Sequence, residues 1–155
     1  ISADIKSLPQ GFSPRTLTFW VKANALNTAN QHVINWGKMV VGQSFGLIKG
    51  FYDSKHDWIF YGHGIGTQDF SAGIQSDTAW HHIVVTYDAT HVRVYVDGVF
   101  TKSEPRTLNT NGTELVLGTA LDKSGYWNGV IDDVGIYDIV LSDREIKTLH
   151  IREKP

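Results

Sequence analysis

The spacing of carboxylates is the first test of whether this chain could carry out catalysis. A retaining glycosidase needs two carboxyl groups about 5–5.5 Å apart. The four glutamates are far apart in the sequence, at Glu104, Glu114, Glu145 and Glu153. Asp132 and Asp133 are adjacent, and adjacent residues of a strand point to opposite faces. The pattern therefore predicts a chain without a catalytic carboxylate pair.

The neighbouring residues His81 and His82 are candidates for metal binding. In a strand they point to opposite faces, so they cannot chelate one ion together. His82 shares its face with Trp80 and Val84, which favours a packed histidine that holds a backbone carbonyl. The histidines lack the tight spacing of a zinc site, and without cysteine the chain has neither a thiolate ligand nor a thiol nucleophile.

Asp132 is the acidic residue with the best case for a metal. Strand alternation places it on one face with Val134 and Ile136. An ionised carboxylate on an apolar face must be paired, hydrogen-bonded or metal-bound. One hypothesis is a calcium ligand, assisted by backbone carbonyls and a second carboxylate such as Asp4. The alternative is an aspartate that accepts backbone N–H bonds from a neighbouring loop.

Several segments combine aromatic rings with polar groups, as stacking on a sugar requires. They are Trp58, Tyr61 and His63 with His56 and Asp57; Tyr126 beside Asp122, Lys123 and Ser124; and Trp36 beside Gly37 and Lys38. Arg93 and Tyr95 oppose the valines of their strand and would join such a site if that sheet face were open. The alternative for each aromatic is the core, because each ring buries about 150–250 Å².

The elements that position these residues are predicted to be strands. Alternating or apolar segments cover residues 16–22, 32–38, 44–49, 57–61, 70–74, 80–86, 92–96, 114–118 and 129–137, after a short first strand within residues 1–12. Asp97-Gly98 is a strong hairpin signal. Strands that recur without helical patterns between them indicate an all-β fold, a two-sheet antiparallel β-sandwich.

A single short helix is predicted near the C-terminus. Ser142 and Glu145 form a capping box, and Leu141 and Ile146 form a hydrophobic staple. The helix is expected to run to about His150. The alternation of residues 16–22 places Trp20 on the polar face of its strand, where a loop or this helix could cover it or leave it exposed. Alternation likewise pairs Trp58 with Phe60 and Ile59 with Tyr61 without saying which pair is in the core.

Length and composition limit the remaining possibilities. Residues 1–155 fit one domain that buries about two-thirds of its unfolded surface. A net charge of −2 without a basic block argues against a nucleic-acid partner. No run of about 18 apolar residues is present, so membrane insertion is not expected, and no signal peptide is visible.

Three groups of residues resemble the laminin G-like branch of the concanavalin A-like lectin/glucanase superfamily, in its bacterial single-domain form. The first is the Trp-bearing strand at 16–22. The second is Trp80-His81-His82, then Val85-Thr86-Tyr87-Asp88 and Val94-Tyr95-Val96-Asp97-Gly98. The third is the strand at 129–137, then Leu141-Ser142 and Glu145-Ile146. The resemblance implies a jelly roll with a short terminal helix, and it matches Trp80 and Trp127 to packing positions.

The resemblance also implies a function. Members of the family are mostly non-catalytic: many are carbohydrate-binding modules of secreted enzymes or adhesive domains of cell-surface proteins, and some bind calcium. The Glu-x-Asp-x-x-Glu motif of the superfamily's β-glucanases and the Gln-Ile/Val-His strand of its alginate lyases are missing here. The expected protein is therefore a non-catalytic, extracellular or cell-surface, lectin-like module that binds a glycan and is covalently linked to other domains of a larger protein.

The expected ligand residues are Trp58, Tyr61, His63, Tyr126, Arg93, Tyr95 and Trp36, and the expected calcium ligands are Asp132 and Asp4. Two alternatives remain open. One is a structural or adhesive domain that contacts proteins, which full burial of both Trp58 and Tyr61 would favour. The other, less favoured, is a polysaccharide hydrolase or lyase.

Overall fold

In the part of the chain that the structure describes, two antiparallel sheets face each other and a helix covers the outer side of one of them. The computed structural model describes residues 1–26, 29–52, 55–64 and 67–152, without the side chains of residues 51, 52, 55 and 56. The elements are β1 (Ser2–Asp4), β2 (Arg15–Ala23), β3 (Gln31–Gly37), β4 (Ser44–Tyr52), β5 (Lys55–Tyr61), β6 (Phe70–Gln75), β7 (Trp80–Tyr87), β8 (His91–Val96), β9 (Val99–Pro105), β10 (Glu114–Leu117), β11 (Gly129–Tyr137) and α1 (Asp143–Arg152).

The strand order confirms the predicted two-sheet β-sandwich. The six-stranded sheet has the order β1-β10-β3-β4-β5-β6, and the five-stranded sheet has the order β11-β2-β7-β8-β9. Consecutive strands are hydrogen-bonded neighbours from β3 to β6 and from β7 to β9. At the Asp97-Gly98 turn both residues have positive φ, 54° and 76°, which is the geometry of a two-residue hairpin.

The core lies between the sheets and includes the apolar faces that alternation predicts. Leu17, Phe19 and Val21 of β2 are fully buried there. The other face of β2 differs from the half-exposed face that alternation suggests, because Thr18 and Trp20 are each only 1% exposed. The helix and the segment that leads into it cover this outer face, so β2 is buried on both sides.

The first turn of α1 follows the predicted capping pattern. The Ser142 N–H donates to Glu145 Oε2 at 2.8 Å, and the Glu145 N–H donates to Ser142 Oγ at 3.4 Å. Leu141 and Ile146 are buried and pack with Val84 on the outer side of the five-stranded sheet. Local capping and apolar burial therefore fix both the start of the helix and the face that it presents to the sheet.

Two of the four register shifts in the described strands move residues that bear on the candidate sites. In β3 the shift lies between His32 and Ile34, so Val33 and Ile34 both enter the core and His32 lies on the outer face of the six-stranded sheet. In β11 the shift lies between Asp132 and Gly135, with Asp133 at φ 46°. A bulge inserts an extra residue and thereby reverses the face on which the following side chains lie.

Candidate functional site

Two segments predicted to contact a ligand meet at His32, on the outer face of the six-stranded sheet. The Tyr61 Oη lies 2.6 Å from His63 Nδ1, and the Tyr61 ring lies edge-on to the His32 ring at 4.7 Å. The His32 N–H donates to the carbonyl of Gly125 at 2.8 Å. Gly125, the residue before Tyr126, therefore lies directly against His32. We call His32, Asn35, Tyr61 and His63, together with the loop that carries Tyr126, the outer-face site.

The loop of the outer-face site is held by a hydrogen bond from β3 and by hydrogen bonds within the loop itself. Asn35 Nδ2 donates to the carbonyl of Thr119 at 3.1 Å, and the Ser124 N–H donates to Asp122 Oδ1 at 2.9 Å. Gly125 has φ 58°, and a Cβ at this position would lie 2.8 Å from His32 Cδ2. Only glycine allows the backbone to approach the imidazole so closely. Tyr126, by contrast, is 69% exposed.

The protonation states at this site follow from burial and nearby charges. Burial lowers the pKa of His32 to about 4, opposed by the charge of Asp122 and reinforced by His63. Burial also raises the pKa of Tyr61 to about 12, and Asp69 adds to the effect. At neutral pH His32 is therefore uncharged and Tyr61 keeps its proton. The Tyr61 hydroxyl can then donate to His63 Nδ1.

Two buried polar atoms at this site have no hydrogen-bond partner within the described ranges. They are His32 Nδ1 and Asn35 Oδ1, whereas most buried polar atoms are paired. Together with Tyr61 and His63, they give one sheet face both donors and acceptors, beside the loop that carries the exposed Tyr126. Such an arrangement can bind a molecule with several hydroxyl groups.

Trp58 and Trp36 lie elsewhere, which corrects their prediction as ligand contacts. Both are fully buried between the sheets. The Trp36 ring packs 4.9 Å from the Phe45 ring, and its Nε1 donates to the carbonyl of Pro9 at 3.2 Å. Trp58 and Phe60 point into the core, while Ile59 and Tyr61 point outward. A buried ring has no free face on which a ligand could stack.

Arg93 and Tyr95 also lie away from the outer-face site, because β8 belongs to the five-stranded sheet. As predicted, they oppose the core-facing valines of β8, but the face that they occupy is not open. Tyr95 is 5% exposed beneath α1, and its Oη donates to Asp143 Oδ1 at 2.9 Å. Arg93 donates to Asp88 Oδ2 at 2.5 Å. Tyr95 thus helps to hold α1, and Arg93 is engaged in an ion pair.

The expected calcium ligands do not form a common site in the described residues. The bulge in β11 removes Asp132 from the apolar face: Ile131 and Ile136 pack on the core, and Asp132 is exposed. Its Oδ1 accepts the Asp133 N–H at 2.9 Å. Asp4 is exposed on β1, in the opposite sheet. Among the described residues, no group of three or more histidine or acidic side chains that could hold a metal ion occurs.

His81 and His82 lie on opposite faces, as alternation predicts. His82 is fully buried, and its Nε2 lies 2.7 Å from Thr18 Oγ1, so its partner is a hydroxyl group and not the expected carbonyl. His81 lies between two carboxylates, 2.8 Å from Asp97 and 3.0 Å from Asp77. The hydrogen bond to Asp97 and the further one to Asp77 raise the pKa of His81 despite partial burial. The imidazole fills the space between these carboxylates, so they cannot serve as a catalytic pair.

Sequence reasoning missed His32 and Asn35. Alternation of residues 32–38 places His32 on the face of Ile34 and Trp36, in the core. The bulge overturns that assignment, and the contact to Gly125 joins residues far apart in the sequence. The glycine beside an exposed tyrosine is the signal in the sequence that could have pointed to a close approach of backbone.

The chain belongs to the Laminin_G_3 family of the concanavalin A-like lectin/glucanases superfamily, whose sequence profile matches residues 2–147. It is also 29% identical to the rat (Rattus norvegicus) sushi, von Willebrand factor type A, EGF and pentraxin domain-containing protein 1, over 153 residues. That alignment covers 86% of this chain and 4% of the rat protein. The chain therefore spans a small part of a large multidomain relative.

Similar solved structures share the fold at low sequence identity. Domain 4 of AbnA, an extracellular arabinanase from Geobacillus stearothermophilus in complex with arabinotriose, has a TM-score of 0.72 at 21% identity, covering 96% of this chain and 80% of that one. A pentraxin from Limulus polyphemus has a TM-score of 0.69 at 16% identity, covering 92% and 71%. The sialidase of Trypanosoma rangeli has a TM-score of 0.67 at 20% identity, covering 92% and 23%. The fold thus occurs in enzymes and in proteins of other kinds.

Proposed function

We propose that this domain is a non-catalytic carbohydrate-binding module and that the outer-face site holds its ligand. The observation that carries the proposal is the convergence of His32, Tyr61 and His63 with the loop that presents Tyr126. A sugar offers hydroxyl groups that both donate and accept, and it offers an apolar C–H face for the tyrosine ring. Unpartnered His32 Nδ1 and Asn35 Oδ1 supply positions at which such hydroxyl groups gain hydrogen bonds.

The structural neighbours support a carbohydrate ligand. A domain of an extracellular arabinanase that shares this fold was solved with arabinotriose. Attachment of the present domain to a secreted or surface protein, next to other domains, is part of the proposal. No helix in the described ranges has the length and apolar character needed to cross a membrane.

Affinity electrophoresis and calorimetry with arabinan, arabinotriose and a panel of neutral polysaccharides test the proposal. Tyr126→Ala removes an exposed ring and should weaken binding about 3- to 10-fold, since aromatic contacts of this kind contribute about 0.5–1.5 kcal/mol. Phe12→Ala is the matched control, because Phe12 is also exposed, at 54%, and lies on another loop. A domain that no polysaccharide retards, or equal binding by both variants, would refute the proposal.

A structural or adhesive domain that contacts proteins is the second candidate. Burial favours it: Trp58 is 0% and Tyr61 7% exposed. The turn after β3 also carries Met39, Val40 and Val41, which are exposed side by side. Tyr61 is nevertheless on the outer face and is covered by neighbouring residues of the site. Absence of glycan binding by the unmodified domain, together with loss of a protein partner in the Val40→Ser variant, would favour this candidate over the first.

A further inference from the structure

We propose a second carbohydrate pocket, on the five-stranded sheet beside the C-terminal end of α1, that accepts one neutral sugar ring. Its walls are Trp20, Trp80, Asp97 and His150, and it encloses about 260 Å³. Pockets for drug-sized ligands enclose about 300–1,000 Å³, so this volume suits a single ring and not an oligosaccharide. This inference rests on the proposed function only in taking the ligand to be a carbohydrate. The pocket itself lies on the opposite sheet from the outer-face site.

The aromatic wall is rigid before any ligand arrives. The Trp20 ring stacks on His150 at 5.3 Å with 25° between the ring planes, and it also lies 5.3 Å from the His82 ring. Thr18 holds His82 through a 2.7 Å contact to Nε2. Trp80 is half-buried and supplies the accessible indole of the pair. The accessible indole face of Trp80 suits the C–H face of a sugar, while the buried Trp20, packed against His150 and His82, is a fixed part of the wall and not a stacking face.

Asp97 supplies the acceptor. Its Oδ1 accepts the His82 N–H at 2.9 Å, and its Oδ2 lies 2.8 Å from His81 Nδ1. A carboxylate has about four lone-pair sites, so capacity for a ligand hydroxyl remains. Burial alone would raise the pKa of Asp97, but the hydrogen bonds from His81 and from the His82 N–H outweigh it and lower the pKa. The side chain is 40% exposed, so a ligand can reach it.

The same pocket also holds unused hydrogen-bonding capacity. Trp20 Nε1 and His150 Nδ1 are buried and have no partner in the described part of the chain. The indole N–H can only donate, so a ligand needs an acceptor to satisfy it. A hydroxyl group both accepts and donates, and it could therefore serve Trp20 Nε1 and Asp97 at once.

Charge argues against the two other ligand classes that an aromatic pocket could take. An anion would be repelled by Asp97. An organic cation is attracted to indole faces, but it offers nothing to the indole N–H. In addition, Lys22 is the register partner of Trp80, and directly opposite residues lie on the same face of the sheet. The positive charge of Lys22 therefore disfavours a cationic ligand beside Trp80. A neutral molecule with several hydroxyl groups is the ligand class that remains after anions and cations are excluded.

The position of α1 completes the pocket. A Cβ on Gly98 would lie 3.3 Å from the Cβ of His150, so the last turn of the helix rests directly on the Asp97-Gly98 hairpin. This contact brings His150, from the end of the helix, beside a carboxylate from the β8–β9 turn. The pocket therefore exists only when α1 is docked on the sheet.

Nuclear magnetic resonance of the indole N–H groups in the intact domain tests the proposal. L-Arabinose, D-galactose and D-glucose are titrated separately, with choline chloride as a cationic probe. The Trp20 and Trp80 signals should shift with at least one sugar in a saturable way, while the signals of the core residues Trp36 and Trp58 stay unchanged. Trp80→Phe should keep the effect on Trp20 with weaker affinity, and Trp80→Ala should remove it.

Three results separate the possible failures. Arabinotriose binding that is lost in Tyr126→Ala but occurs without any shift of Trp20 or Trp80 would overturn the second pocket and leave the proposed function intact. A saturable sugar shift at Trp20 that persists in Tyr126→Ala supports the pocket even if the outer-face site fails. Shifts with choline chloride and with none of the sugars would overturn the assignment to carbohydrate. Unchanged thermal unfolding of Trp80→Phe serves as the control for folding.

Discussion

Substitution of Gly125 by alanine should damage both the stability of the domain and its outer-face site. At φ 58° an alanine is in the left-handed region, which costs about 1–2 kcal/mol for an L-residue. Its Cβ would also lie 2.8 Å from His32 Cδ2 and 3.3 Å from the carbonyl of Asn30. Overpacking of this kind costs about 1–3 kcal/mol more. We therefore expect a total loss of about 2–5 kcal/mol in the free energy of unfolding.

Gly118 in the same loop provides the matched control. It has φ 77°, but a Cβ there would meet nothing closer than the Trp127 Cβ at 4.0 Å. Gly118→Ala therefore carries the backbone strain without the clash and should cost only about 1–2 kcal/mol. In a domain of this size each kcal/mol lowers the melting temperature by about 2–4 °C, so the two variants should be clearly separated.

Thermal unfolding and calorimetry with arabinotriose measure the two effects. Gly125→Ala should unfold below Gly118→Ala and should bind the sugar at least about 3-fold more weakly, because His32 or the loop must move. Equal melting temperatures of the two variants would refute the close approach of Gly125 to His32. A less stable Gly125→Ala with unchanged sugar affinity would instead separate His32 from the ligand.

Three further predictions concern pH and the docking of the helix. Burial lowers the pKa of His32 and of His82 to about 4, whereas a histidine in the unfolded chain has a pKa of about 6.5. As the pH drops, the unfolded chain therefore takes up protons before the folded domain does. The free energy of unfolding should fall between about pH 6.5 and about pH 4. The melting temperature of His32→Gln should depend less on pH than that of the unmodified domain. An equal dependence in the two proteins would contradict the lowered pKa of His32. His81, whose pKa is raised, acts in the opposite direction, but it does so equally in both proteins. Tyr95→Phe removes a hydrogen bond to the start of α1 and should lower the free energy of unfolding by about 0.5–1.5 kcal/mol. An unchanged midpoint of urea unfolding would contradict this prediction. Ser142→Ala removes the cap and should cost about 1 kcal/mol, whereas Ser142→Asp should retain most of it.

Local sequence signals predicted much of the fold correctly. The Asp97-Gly98 turn and the capping box at Ser142 act through residues that are near neighbours in the chain, so their geometry follows from residue type alone. The face of Leu17, Phe19 and Val21 also follows, because regular alternation holds throughout β2. The resemblance to the laminin G-like family joined these pieces into one topology.

The candidate site was harder to predict because bulges and long-range contacts create it. His32 leaves the core face only because β3 slips in register beside it, and Asp132 leaves its apolar face for the same reason in β11. Aromatic residue type also gave no indication of burial. Trp58 and Tyr126 both lie close to polar residues in the sequence, yet one is fully buried and the other is 69% exposed. Those outcomes depend on which elements pack against each ring.

The loop that presents Tyr126 is also one of the connections between the two sheets, since it runs from β10 in the six-stranded sheet to β11 in the five-stranded sheet. A ligand held by both this loop and the Tyr61–His63 pair would fasten the sheets together at one end of the sandwich. A force that slides one sheet over the other would then have to break the contacts to the ligand in addition to the packing contacts of the core. In a protein that is pulled between a surface and a glycan, an occupied site would resist that force longer than an empty one.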